Sequence, residues 1–92
     1  MPRRSSSEIN SLIEQAVKQM DFLINDMKVP RSIRATISNA KDRLLNSKDS
    51  LDIKISSVIY DLDSVSNDIN IPQQERTLIW NILSILESIK VK

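Results

Sequence analysis

The feature that most constrains this chain is a turn written twice. The segment NDMKVPRSIR, from Asn25 to Arg34, returns forty-two residues later as NDINIPQQER, from Asn67 to Arg76. Asn, Asp, Pro and Arg fall at the same offsets in both. The match extends into the flanks. Ile9 meets Leu51, Ile13 meets Ile55, Ala16 meets Val58, Met20 meets Leu62 and Leu23 meets Val65. Beyond the turn, Ile37 meets Ile79, Ala40 meets Ile82 and Leu44 meets Leu86. A period in this range marks a repeated supersecondary unit, here a helix, a turn and a second helix. One such hairpin cannot cover its own apolar face, whereas two packed together form a four-helix bundle. The expected architecture is therefore all-α: an up-and-down four-helix bundle built from two repeated helical hairpins, at about 7–47 and 49–90. They form a single domain over 7–92, and residues 1–6 are expected to be a flexible N-terminus.

Each apolar series steps at helical period. Ser5 and Glu8 have capping-box spacing, and Ile9, Leu12, Ile13, Ala16, Met20, Leu23, Ile24 and Met27 follow as one stripe, predicting a helix from about Ser7 to Asn25. Ile33, Ile37, Ala40 and Leu44 carry a second, from Pro30 to about Asn46. After the polar link NSKDS, with Asp49 or Ser50 as N-cap, Leu51, Ile55, Val58, Leu62 and Val65 carry a third. Pro72 opens the fourth, which has two apolar rows: Leu78, Ile82, Ile85 and Ile89, and beside them Ile79, Leu83 and Leu86. A helix so broadly apolar is either central or also faces a partner.

The repeated turn has a local logic. The chain contains no Gly, so Asn25 and Asn67 are the residues expected to close their helices in the left-handed conformation. Pro30 and Pro72 suit the first turn of the helices that follow. Arg34 and Arg76 stand near helix N-termini, the wrong end for a cation. Each is expected to pair with a carboxylate: Asp26 with Arg34 and Asp68 with Arg76, or the same four residues swapped between turns. The structural reading of this motif is favoured over a ligand-binding role for the two arginines.

Composition excludes more than it assigns. There are no His and no Cys, which removes the usual zinc ligands, thiolate chemistry and the usual neutral-pH general base. Without Gly no phosphate-cradling loop of the Walker or dinucleotide type is available. Asp61 and Asp63, two apart on a helix, point to different faces and read as a solvated surface. No convergent catalytic set, no metal site and no cofactor or small-molecule site is expected, and the chain reads as a non-enzyme. The start MPRRSSSE lacks the apolar run of a signal peptide, and no apolar run approaches a membrane span. The cytoplasm is the expected location.

The charge is balanced overall, at +1, but segregated. Residues 30–48 hold Arg31, Arg34, Lys41, Arg43 and Lys48 against Asp42; residues 49–70 hold Asp49, Asp52, Asp61, Asp63 and Asp68 against Lys54. The favoured reading is intramolecular, a basic second helix lying against an acidic third. The other is a nucleic-acid contact through Arg31, Lys41, Arg43 and Lys48, although no aromatic residue lies in this helix to stack on bases. Trp80 lies at the edge of the fourth helix's stripe and Phe22 lies off the first helix's stripe. Packing in the core or at the bundle edge is the first reading for Trp80, and contact with a partner protein is the second for both.

At VPRSIR and LDSVSNDINIPQQERTLIWNILSILESI the chain resembles uncharacterised protein family 0147, a set of small archaeal proteins, over about Ile9 to Ile89. Asn67, Asp68, Asn70, Pro72, Arg76, Thr77, Ile79 and Trp80 carry the most specific part of the likeness. The resemblance implies an up-and-down bundle of bromodomain-like shape, and it brings no activity, cofactor or catalytic residue. The expectation for function is a non-enzymatic structural or protein-interaction module, with a protein partner or self-association as a homodimer. The alternative is a nucleic-acid-associated protein using the basic face of the second helix.

Overall fold

The computed structural model describes residues 5–89. Four helices follow one another: α1 Ser6–Ile24, α2 Arg31–Asn46, α3 Leu51–Ser66 and α4 Gln73–Ile89. Each packs on two neighbours, α1 on α2 and α4, and α3 on α2 and α4. With connections this short, consecutive helices run antiparallel, and the four enclose one core. No strand occurs among the described residues.

The core follows the stripes. Ala16, Met20 and Leu23 of α1 meet Ile33, Ile37, Ala40 and Leu44 of α2. From the other side come Ile55, Val58, Leu62 and Val65 of α3 and Ile79, Ile82, Leu83, Leu86 and Ile89 of α4. Positions forty-two apart are buried together, Ala16 with Val58, Ile37 with Ile79 and Leu44 with Leu86 among them, and so are the turn residues Val29 and Ile71. The two rows of α4 are largely absorbed inside the chain, with only Leu78 and Ile85 half-buried. The breadth of its apolar surface is thus explained by its position in the core and no longer calls for a second copy.

The ends of the helices differ from expectation in physically informative ways. Ser5 is the N-cap of α1. Its hydroxyl accepts from the Glu8 N–H, and the Glu8 carboxylate accepts from the Ser5 N–H, a complete capping box. Ser5 and Ser6 therefore belong to the helix start and not to a loose terminus, while residues 1–4 of that expected tail lie outside the described residues. Pro30 is the N-cap of α2 and not its first helical residue, with φ −54° and ψ 146°; its carbonyl still accepts from Arg34 N–H, as that of Pro72 does from Arg76 N–H.

Asn25 and Asn67 do not enter the left-handed region. Their φ, ψ values are −92°, 0° and −87°, −2°, and no described residue has positive φ. Each closes its helix with its side chain instead: Asn25 Nδ2 donates to the Asp21 carbonyl at 2.9 Å, and Asn67 Nδ2 to the Asp63 carbonyl at 3.1 Å. The amide supplies the donor that a left-handed residue would otherwise bring round.

Candidate functional site

The α1–α2 and α3–α4 turns share an Asx bond and an arginine bonded to the backbone. Asp26 Oδ1 accepts from Lys28 N–H at 2.9 Å, and Asp68 Oδ1 from Asn70 N–H at 2.8 Å. These are Asx-turns, in which the carboxylate substitutes for a backbone carbonyl. With the aspartates so engaged, the arginines turn to the backbone. Arg34 Nε donates to the Val29 carbonyl at 3.1 Å. Arg76 Nη2 donates to the Asp68 carbonyl at 2.7 Å and to that of Ile71 at 3.4 Å. Neither guanidinium bonds a carboxylate among the described residues, so the expected Asp–Arg pairs, direct or swapped, do not form. The reason is geometric. A turn that enters a helix through Pro leaves its carbonyls pointing at the first helical turn, within reach of a side chain at Arg34 or Arg76, and the charged donor satisfies them.

The charged helices α2 and α3 do lie together. Arg43 Nη1 is bonded to the Asp61 carboxylate and donates to Ser57 Oγ at 2.9 Å. Asp61 is thus an ion-pair partner across the α2–α3 seam, not a free surface carboxylate. On the other side of α2, Lys41 pairs with Asp21 of α1. Two of the four residues considered for nucleic acid, Lys41 and Arg43, are engaged within the chain. Arg31 opens α2 and Lys48 lies in the link beyond its C-terminal end.

The principal concavity lies elsewhere, between the C-terminal part of α1 with its following turn and the first turns of α4. It is an open groove of about 930 Å³. Phe22, Met27 and Leu78 give it an apolar surface, and Asp26, Lys28 and Glu75 give it charge. Phe22 is 64% exposed and Met27 79%. Phe22 was a sequence candidate. Met27 was assigned to the α1 stripe but lies past the helix end, where Arg34 Nη1 approaches its sulfur at 3.6 Å. Trp80 is 50% exposed and is not among the residues lining the groove.

Glu75 was not singled out by the sequence reading, and it is the least ordinary residue of the groove. It is 3% exposed. Lys28 Nζ stands 3.5 Å from Oε2, but Oε1 is buried with no hydrogen-bond donor. The Asp26 carboxyl is held below the usual aspartate range, first by hydrogen bonding with the Glu75 side chain and next by the Lys28 N–H. Burial opposes this, and the charges of Lys28 and Arg34 add to it. Two carboxyl groups can bond each other only by sharing a proton; without one, Oε1 faces no donor. The signal that could have found Glu75 is a break in the repeat. Forty-two residues earlier stands Ile33, equally part of the buried set.

Among the described residues no group of three or more acidic, His or Cys side chains is placed to hold a metal ion, and no helix is long and apolar enough to cross a membrane.

Comparison with known proteins agrees with the fold. A curated protein of Methanosarcina mazei, the UPF0147 protein, is 37% identical over 91 residues, covering 99% of this chain and 98% of its own. The UPF0147 protein MJ1419 of Methanocaldococcus jannaschii is 38% identical over 79 residues, 86% and 85% of the two chains. A crystal structure from the same uncharacterised family, from Thermoplasma acidophilum, superposes with a TM-score of 0.83 at 31% identity, over 88% of this chain and 95% of that one. The unknown-function protein MMP1188 also superposes at 0.83, with 34% identity over 99% and 100%. The family model described as uncharacterised protein family UPF0147 matches residues 2–89. This chain belongs to the UPF0147 family.

Proposed function

We propose that the chain is a non-enzymatic protein-interaction module of the cytoplasm whose partner surface is the α1–α4 groove. One observation carries the reading: Phe22 and Met27 hold most of their apolar surface in water at the mouth of a groove. Leu45, Ile53, Tyr60, Ile69 and Trp80 are also exposed, but none of them lines this groove. Clustered apolar exposure rimmed by polar groups is characteristic of docking surfaces. The nucleic-acid reading comes second because Lys41 and Arg43 already hold intramolecular carboxylates.

The test is affinity capture from native extract with the full chain and with a Phe22→Ser, Met27→Ser double variant, each with and without nuclease, alongside sedimentation equilibrium. Partners that survive nuclease and are lost with the double variant support the reading. Self-association abolished by the same variant makes the partner a second copy. Partners that vanish with nuclease, or that ignore the variant, overturn it.

A further inference from the structure

Glu75 is a buried acceptor in want of a donor. A glutamate whose side chain is 5% exposed, with one carboxylate oxygen unbonded, is an unfavourable arrangement that folded chains seldom keep without cause. The cause is not the turn. The α1–α2 turn has the corresponding Asx bond, an arginine on the corresponding carbonyl and the same Pro entry, and it places Ile33 where the α3–α4 turn places Glu75. An isoleucine therefore satisfies the fold at this position. The carboxylate is an addition to the structural solution, and it lines the groove where Phe22 and Met27 are exposed.

Of the other charged groups in the groove, Lys28 covers Oε2 only, at 3.5 Å and with its side chain 64% exposed. Asp21 is taken by Lys41. Lys18 also lines the groove and carries no bond to Glu75. Asp26 and Glu75 remain, both lining the groove: Asp26 Oδ1 accepts from Lys28 N–H, and Glu75 Oε1 has no donor. Two adjacent carboxyl groups beside apolar surface match a planar, weakly hydrated cation with several donors in a fixed fork. A compact ammonium would keep more of its hydration and fit less well.

We propose that Asp26 and Glu75 receive an arginine side chain of a partner protein, whose flanking apolar residues lie on Phe22, Met27 and Leu78. The assignment rests on the groove being a partner surface, and it names what the groove selects.

The experiment is selection of random dodecamer peptides on the immobilised full chain. Selected peptides are then measured by fluorescence anisotropy against wild type, Glu75→Gln, Glu75→Ile and Phe22→Ser, each variant confirmed helical by circular dichroism. The expected peptides carry an arginine flanked by apolar residues. Replacing that arginine by citrulline, or Glu75 by Gln or Ile, weakens binding about tenfold or more, the scale of one charge-assisted hydrogen bond. Peptides that depend on Phe22 but need no arginine and ignore the Glu75 variants overturn this inference and leave the interaction reading standing. Peptides indifferent to Phe22→Ser, or no selected binder, overturn both. Methylguanidinium alone binding as tightly as the peptides would move the site to a small cation and also overturn the inference.

Discussion

Ile33 and Glu75 stand at the same offset in two turns that share an Asx bond, and both are withdrawn from water, at 7% and 3% exposure. One fills its place with hydrocarbon and the other with a carboxylate. The core at this offset thus accepts an apolar side chain in one turn and a carboxylate, beside Lys28, in the other. Glu75→Ile should therefore raise stability by about 1–3 kcal/mol, the range found when buried charge gives way to packed apolar side chains. Urea unfolding followed by circular dichroism measures it, and a lowered midpoint with unchanged slope would refute it.

The arginines should be unequal. Arg76 serves two carbonyls and Arg34 one, beside its sulfur contact. Charge-assisted bonds of this kind contribute about 1.5–3 kcal/mol each when buried and less when partly exposed. Arg76→Met is expected to cost about 2 kcal/mol and Arg34→Met about 1. Equal costs from parallel denaturation curves would mean that the carbonyls find water equally well in both turns.

Acid should act through Asp26. Its folded-state pKa is depressed, so its contribution to stability is present above the unfolded value, about 3.9, and is lost as pH falls through the folded value. Between pH 6 and 5 the wild type and Asp26→Asn should show a constant difference in unfolding midpoint. Below about pH 4 the wild type should lose stability faster, and the two should converge. Curves that stay parallel down to pH 2.5 would show that the carboxylate adds nothing specific.

The seams of α2 should differ in their response to truncation. Arg43 bonds both Asp61 and Ser57, whereas Lys41 has Asp21 alone. All four ionic side chains are partly exposed, so screening keeps each pair small. Lys41→Ala should change stability by less than about 0.5 kcal/mol and Arg43→Ala by about 1 kcal/mol, with both effects reduced in 1 M salt. A cost for Lys41→Ala above that for Arg43→Ala, from denaturation at low and high salt, would contradict this ordering.

The sequence by itself determined the helices, their order and the core. Periodic apolar spacing needs no tertiary knowledge, since a stripe at helical period has only one way to be buried, and Ala16, Met20, Ile37 and Ile79 went where their spacing sent them. Ser5 with Glu8 located the first cap because that contact is closed within four residues. The repeated turn was legible as a turn for the same reason. Its bonding was not. Asn25 and Asn67 have two ways of ending a helix, and only the folded structure distinguishes a side-chain donor from a left-handed backbone.

What the tertiary structure decided is what meets across elements. Arg34 and Arg76 had carboxylates within plausible sequence distance, but the turn carbonyls stood closer and the aspartates were already engaged by backbone N–H groups. The charge segregation already pointed to α2 lying against α3, but which charges meet, Arg43 with Asp61 and Lys41 with Asp21 of α1, depends on the packing of the helices. The groove combines residues from α1, the α1–α2 turn and α4 that are far apart along the chain. Glu75 looked like an ordinary acidic residue in the first turn of a helix, where a carboxylate is favoured. Only the packing of α4 against α1 removed it from water and left Oε1 without a donor.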